Sequence, residues 1–260
     1  MDTITVTNQK GGVAKTTTSL MLAAGLAMKG YRVLGIDLDP QGNFTTCSNP
    51  DRKEGPTVYD MLKGAIRAEE AISGSPHGYD IIRGSYSLAL ADQEFSDTGR
   101  EYILSEALEP IEDRYDYCII DTPPSLSILT VNALTASKSV IVPIAADLFS
   151  LEGLERLYGL TKKVRKYSNS RLRIEGLLLT RYSGRAIISK AIREQLEAVA
   201  HRYETRLFNT TIREGVAIKE AQFLKKNPYK DYSKAKVTQD YADFINELLK
   251  EAKEDGKQEE

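Results

Sequence analysis

The sequence predicts an α/β fold: a mostly parallel, twisted sheet with helices on both faces. Three observations carry that prediction. Short β-branched or apolar runs recur as strands, at Thr3–Thr7, Arg32–Asp37, Tyr79–Gly84, Asp116–Asp121, Lys138–Ile144 and Arg173–Thr180. Helical patterns separate most of them, as crossovers between parallel strands require. Acids and glycines collect where several strands end, on the side where open α/β sheets bind ligands.

With 260 residues, 41% hydrophobic and 28% charged, the chain can bury a sizeable core. One domain is expected over residues 1–253, followed by a polar acidic tail at 254–260. No apolar run approaches the ~20 residues of a membrane span, and no signal peptide is expected before the first strand. Cys47 and Cys118 lack a close C-x-x-C partner, and His77 and His201 are isolated. That argues against a disulfide framework, a zinc site or a histidine cluster, and for reduced thiols in a cytoplasmic protein.

The first strand ends in a glycine turn, Gly11–Gly12, followed by Lys15-Thr16-Thr17 and a helical pattern to about Lys29. Leu20, Ala23, Ala24 and Ala27 keep helical spacing, and Gly30 stands where a C-terminal cap belongs. A strand, a glycine-rich turn and a helix in that order make a phosphate-binding loop. Its amides and the positive end of the helix face the anion. Lys15 supplies charge to the β- and γ-phosphates, and Thr16 offers a hydroxyl to Mg²⁺. The loop departs from G-x-x-x-x-G-K-[ST] at Gln9 and Ala14, and carries a second lysine, Lys10, at its head. Ala14 brings a methyl group close to a phosphate, although alanine favours a helix start. Gly25 costs the helix about 1 kcal/mol relative to alanine.

The second strand ends in Asp37-Leu-Asp39-Pro-Gln-Gly-Asn43, which places carboxylates on the ligand side of the sheet. Residues 44–75 are less regular, with a short helix at Thr57–Leu62 and a turn at Gly74–Gly78. Helical material is expected from Leu88 to about Glu112. Asp116–Asp121 is a hydrophobic strand ending in an acid, the Walker B pattern, whose carboxylate holds Mg²⁺ beside Thr16. Pro123 and Pro124 then stiffen a loop that can sense the γ-phosphate. Further helices are expected at 150–166, 187–203 and 237–253, the last with Tyr241, Phe244, Ile245, Leu248 and Leu249 on one face.

The run Lys10-Gly-Gly-Val-Ala-Lys15-Thr-Thr resembles the deviant Walker A motif of the ParA/MinD/nitrogenase-iron-protein ATPases. D-x-D-P-Q-G-N and D-T-P-P-S resemble that family's second motif and its switch II. Arg181-Tyr-Ser-Gly-Arg185 resembles its segment near the adenine, and Phe208–Ala221 its base-capping and DNA-contacting region. The resemblance covers nearly the whole chain. It departs at Arg83, where the family usually has proline, and in Gln222–Lys236, which lacks the usual glycine and much of the Y-D pattern. It implies ATP and Mg²⁺ as cofactors, with Gly11, Gly12, Val13, Ala14, Lys15, Thr16, Thr17, Arg181 and Tyr182 on the nucleotide beside Lys10. Thr16, Asp39 and Asp121 form the implied metal site. The implied catalytic set is Lys10, which crosses a dimer interface to the partner's nucleotide, Lys15, and Asp39, which orients the attacking water. Arg185, Arg213 and Lys219 are the implied DNA contacts.

The resemblance points to a ParA/Soj-type partition ATPase of the small kind, because strand one begins at residue 3. Such a protein forms a homodimer in its ATP state, binds double-stranded DNA without sequence preference and answers to a ParB-like partner at the nucleoid. Charge segregation agrees. Residues 151–236 hold 20 Lys/Arg against nine Asp/Glu, whereas residues 1–150 hold 12 against 20. A MinD-like membrane-associated regulator would want a basic amphipathic last helix, and this one is acidic. An iron-sulfur reductase would need paired cysteines at a dimer axis, which Cys47 and Cys118 do not supply. A nucleotide-binding DNA scaffold with little hydrolysis is the third alternative, favoured by Ala14.

Overall fold

The structure is a computed structural model of the chain, and it describes residues 1–49, 51, 54–146, 150–183 and 187–255. Seven strands form one sheet: β1 (Asp2–Val6), β2 (Val33–Asp37), β3 (Ile72–Gly74), β4 (Asp80–Ile82), β5 (Tyr117–Asp121), β6 (Ser139–Ala145) and β7 (Arg173–Thr180). Their order across the sheet is β3-β4-β2-β5-β1-β6-β7, and every pairing is parallel except β3 with β4. The central strands are buried on both faces, which is why they read as near-continuous apolar runs.

Alternate residues of each strand serve opposite layers. Ile4, Val6, Val33, Ile119, Ile141 and Leu178 pack with α1 (Lys15–Met28), α2 (Asn43–Ser48) and the C-terminal helices α10 (Val216–Phe223), α11 (Pro228–Asp231) and α12 (Lys236–Asp255). On the other face, Leu34, Ile36, Cys118 and Ile120 meet α3 (Val58–Leu62), α4 (Ala68–Ala71), α5 (Ala91–Glu94), α6 (Ile103–Leu108) and α7 (Ile128–Ala136). Val140, Val142, Leu177 and Leu179 continue that face beneath α8 (Ser150–Tyr167) and α9 (Ile187–Arg202).

The predicted strands are present, with one addition and one revision. Edge strand β3 was not foreseen, because Ile-Ser-Gly is too short to show a period. The stretch 88–112 is not one helix. It breaks into a 3₁₀ turn at Tyr86–Leu90, α5, α6 and a second 3₁₀ turn at Glu109–Arg114 with Pro110 in its first turn. The last helix continues to Asp255, two residues past the expected domain boundary.

Gly25 has a packing reason that offsets its propensity cost. A Cβ there would collide with Ile245 and lie 2.8 Å from Tyr229 Oη. The missing side chain lets α11 and α12 close onto α1. Tyr241 of α12, fully buried, reaches the Thr18 hydroxyl at 3.1 Å, and Gln222 of α10 donates to Thr17 at 3.3 Å. The C-terminal helices are thereby fixed to the first turn of the helix that carries the phosphate-loop lysine. No described helix is long and apolar enough to cross a membrane.

A candidate nucleotide site at the carboxyl ends of the strands

β1 lies between β5 and β6, so the chain leaves it where the strand order reverses, the place where open α/β sheets form a ligand crevice. A cleft of about 490 Å³ opens there. Gly11, Gly12, Ala14, Lys15, Thr16, Thr17 and Asp39 line one side; Arg181, Ile212, Arg213, Gly215, Ile218 and Val237 line the other.

The loop itself is built by hydrogen bonds that its sequence supplies. The Asn8 amide group donates to Pro143 O at 2.8 Å, and Asn8 Oδ1 accepts from Lys10 N at 3.0 Å, clamping the loop's entry to β6. Thr180, at the end of β7, donates its hydroxyl toward the carbonyls of Val13 and Ile144, each at 3.2 Å. Lys15 Nζ donates to Lys10 O at 3.1 Å, closing the loop on itself. A Cβ at Gly11 or Gly12 would meet nothing within 4 Å, so the space over the turn is open to a ligand.

Ala14 corrects the sequence reading. It does not begin the helix but caps it in the left-handed region, at φ 67° and ψ 29°. That conformation costs a residue with a Cβ about 1–2 kcal/mol, which is why the plain motif has glycine there. Its carbonyl still accepts from Thr18 N at 2.8 Å, the first bond of α1.

Thr16 and Asp121 meet as expected. Thr16 Oγ1 donates to Asp121 Oδ2 at 2.8 Å, and Ser19, one turn along α1, donates to Oδ1 at 2.9 Å. Burial, and then the charge of Asp37, raise the Asp121 carboxyl above its ordinary range; the two hydroxyls and Lys15 oppose the shift. Burial lowers the Lys15 ammonium, while Asp121 and Asp39 pull it back up.

Two organising residues were not singled out by the sequence reading. Asp37 is fully buried and paired in register with Asp121 across β2 and β5. Its Oδ2 accepts from both Thr45 N and Thr45 Oγ1 at 2.7 Å, and its Oδ1 from Asp39 N at 3.2 Å. It therefore fixes the loop that presents Asp39, whose own Oδ1 accepts from Gln41 N at 3.0 Å. Asp240 is the second. It receives Arg213 in a two-pronged ion pair at 2.6 and 2.7 Å and caps the Arg213 amide at 3.1 Å.

That pair revises the expectation for Arg213, whose guanidinium is held at the cleft by α12. Glu214 similarly accepts Lys219 at 3.1 Å and lies 3.7 Å from Arg181. Tyr182 also departs from expectation: its side chain packs with the apolar cluster under α8 and α9, while Arg181 lines the cleft. Val13 is buried, and its carbonyl takes part in the loop's frame by accepting from Thr180. Arg185 lies outside the described residues.

Comparison with known proteins agrees with this geometry. A family model described as "AAA domain" matches residues 1–174. The sporulation initiation inhibitor protein Soj of Bacillus subtilis is 41% identical over 221 residues, covering 84% of this chain and 86% of the relative. The chromosome partitioning protein ParA of Caulobacter vibrioides is 39% identical over 223 residues, covering 84% and 82%. A crystal structure titled cobyrinic acid a,c-diamide synthase from Mycobacterium smegmatis, with bound ADP and magnesium, superposes with a TM-score of 0.85 at 33% identity, over 97% of this chain and 96% of that one. By its phosphate loop, its two acid-ended strands and these matches, the chain belongs to the Soj/ParA family of chromosome-partitioning ATPases.

Proposed function

We propose that the protein is an ATP-switched partition ATPase: it binds Mg²⁺-ATP in the 490 Å³ cleft, dimerises, holds DNA without sequence preference, and resets by hydrolysis. The observation that carries this reading is the Thr16–Asp121 pair, at 2.8 Å, in a loop whose Lys15 and open glycines share one cleft with Asp39. The donor set fits the metal. A hydroxyl and carboxylates are the oxygen ligands Mg²⁺ prefers, and it takes one or two carboxylates, keeping water and phosphate for most other positions. Thr16, Asp121 and Asp39 are its proposed holders. When bound, the ion neutralises charge on the phosphates as they separate.

The remaining work falls to the chain's own groups. Lys15, whose Nζ now rests on a loop carbonyl, is the proposed partner of the β- and γ-phosphates, beside the amides of Gly11 to Thr17. Ile212, Ile218 and Val237 offer an apolar wall for the base, with Arg181 at its edge. Asp39, held by the Asp37 carboxylate and the turn at Gln41, is the proposed residue that orients the attacking water. Lys10 stands at the head of the loop, where a second subunit facing the same cleft would receive it.

Two copies in the ATP state bring two basic C-terminal halves together, which favours phosphates of any sequence. A ParB-like centromere-binding partner is the proposed stimulator, acting at the nucleoid in the cytoplasm. Filter binding of Asp39→Ala to two unrelated duplexes, with ATP or ADP, tests the switch. Tighter binding with ATP on both duplexes is expected. Equal affinity in the two nucleotide states, or a marked preference for one sequence, would contradict the proposal.

A further inference from the structure

Among the described residues, the cations of the C-terminal half that line the cleft are not free. There, Arg213 is paired with Asp240, Lys219 with Glu214, and Arg181 faces Glu214. Among the described residues, Lys162, Lys163, Arg165 and Lys166 of α8 make no ion pair, and all four are exposed. Lys162 and Lys166 are one turn apart on the solvent face, with Lys163 beside them, while Leu154, Leu157 and Val164 take the opposite side into the core. Gly159, also exposed, leaves that face flat one turn earlier.

Aromatic rings interleave with these cations. Lys162 Nζ stands 4.8 Å from the centroid of Tyr158, which stacks on Tyr203 of the α9 turn at 4.1 Å. Arg202 covers Tyr203 at 5.9 Å, and Lys166 lies over Tyr167 at 4.9 Å. Tyr167 itself is 69% exposed. The rings hold the lysines on the surface without neutralising them. Cations in a last helical turn complement the helix dipole, which accounts for Arg165 and Lys166. Lys162 and Lys163 precede that turn, so the dipole does not account for them.

The patch is remote from the proposed nucleotide cleft. α8 starts beside the head of the phosphate loop, where a Cβ on Gly153 would lie 3.4 Å from Asn8 Oδ1. At about 1.5 Å per residue, Lys162 and Lys166 stand about 14 and 20 Å further along its axis. Just beyond, Asn169 donates to the carbonyls of Leu134, Thr135 and Ser137, at the amino end of β6.

We propose that the exposed face of α8, built on Lys162, Lys163 and Lys166, is a docking surface for the phosphate backbone of double-stranded DNA that is complete in one subunit. Dimerisation then doubles this surface instead of creating it. Duplex DNA fits the patch because it offers one negative charge per ~1.7 Å of axis, so several unpaired cations on one rigid helix find partners at once. An anionic membrane is the poorer partner: the apolar side of α8 is occupied by the core, leaving no face to insert.

The inference rests on the DNA-binding part of the proposed function, and its test separates the two. Binding of two unrelated duplexes is followed by fluorescence anisotropy across a salt series, with ADP and with ATP. The proteins are the parent, K162Q/K163Q/K166Q and K162R/K163R/K166R, with circular dichroism and ATP turnover as controls for folding and the cleft. The parent should bind measurably with ADP and more tightly with ATP. The glutamine variant should lose affinity in both states and lower the salt slope by about 0.9 for each phosphate it no longer neutralises, about 2.7 for three. The arginine variant should bind as the parent does, and turnover without DNA should be unchanged in both. A parent that binds DNA while the folded glutamine variant keeps the same slope overturns this surface and leaves the proposed function standing. A parent that binds no duplex in either state removes both. Should the glutamine variant lose adhesion to phosphatidylserine vesicles while keeping its DNA affinity, the surface is a lipid contact and the inference fails.

Discussion

The Thr16 hydroxyl donates to one oxygen of Asp121 at 2.8 Å while Ser19, one turn along the same helix, holds the other at 2.9 Å. A fully buried carboxylate is thus joined to the phosphate-loop helix by two neutral donors, with Asp37 fully buried beside it. Hydroxyl groups satisfy its lone pairs without supplying a counter-charge, so the site favours a proton or a cation.

That arrangement predicts a pH dependence. Burial, and then Asp37, raise the Asp121 carboxyl above its unfolded value, and Asp37 is itself pushed up to about 6, chiefly by burial. The folded chain then binds more protons than the unfolded chain between the two values. The associated stability is full below the unfolded value and is lost as pH rises through the folded one. Tm of the nucleotide-free protein should fall between about pH 5 and pH 8, and Asp121→Asn should flatten that fall. A scanning-calorimetry series on both proteins checks it; equal slopes would show that Asp121 does not govern the window.

Ala14 gives a second prediction. Its φ of 67° is relieved by glycine, worth about 1–2 kcal/mol, against about 0.4–1 kcal/mol of added unfolded-state entropy. Ala14→Gly should be neutral or up to about 1.5 kcal/mol more stable in urea unfolding. Destabilisation beyond about 1 kcal/mol would mean that the methyl group does packing work outweighing its backbone strain.

Lys10 gives a third. If it serves the partner's nucleotide, its removal deprives a dimer of two charge-assisted hydrogen bonds, about 1.5–3 kcal/mol each. In light scattering with ATP, Asp39→Ala should dimerise, and Asp39→Ala with Lys10→Ala should do so at least about 100-fold more weakly. Equal dimer fractions would remove Lys10 from the interface.

Much of the fold and the loop was legible because the signals are local. A β-branched run, paired glycines and a lysine–threonine step specify a strand, a turn and a helix start within 15 residues. Asp121 was readable because an acid closing an apolar strand has one direction to face. What sequence did not show depends on partners far apart in the chain. Arg213 pairs with Asp240, 27 residues away, on a helix whose rotation is set by Tyr241 and Ile245 in the core. Tyr182 follows Arg181, which sits at φ 54°, and its side chain packs away from the cleft. The excess of cations in residues 151–236 was visible as a sum. Its division into paired charges at the cleft and unpaired ones on α8 required the fold.

The most direct test is steady-state ATP turnover by the parent and Asp39→Ala, with Mg²⁺ and with EDTA, alongside ATP affinity by calorimetry. Asp39 is hydrogen-bonded within its own loop, while the phosphates fall to Lys15 and the loop amides in the proposed site, so its removal should strike the chemistry more than binding. Turnover should require Mg²⁺ and fall by about 10²–10⁴ in Asp39→Ala, with ATP affinity within a few-fold of the parent's. Parental turnover in that variant, or hydrolysis indifferent to EDTA, would contradict the assignment of this cleft as a Mg²⁺-dependent ATPase site with Asp39 at the water.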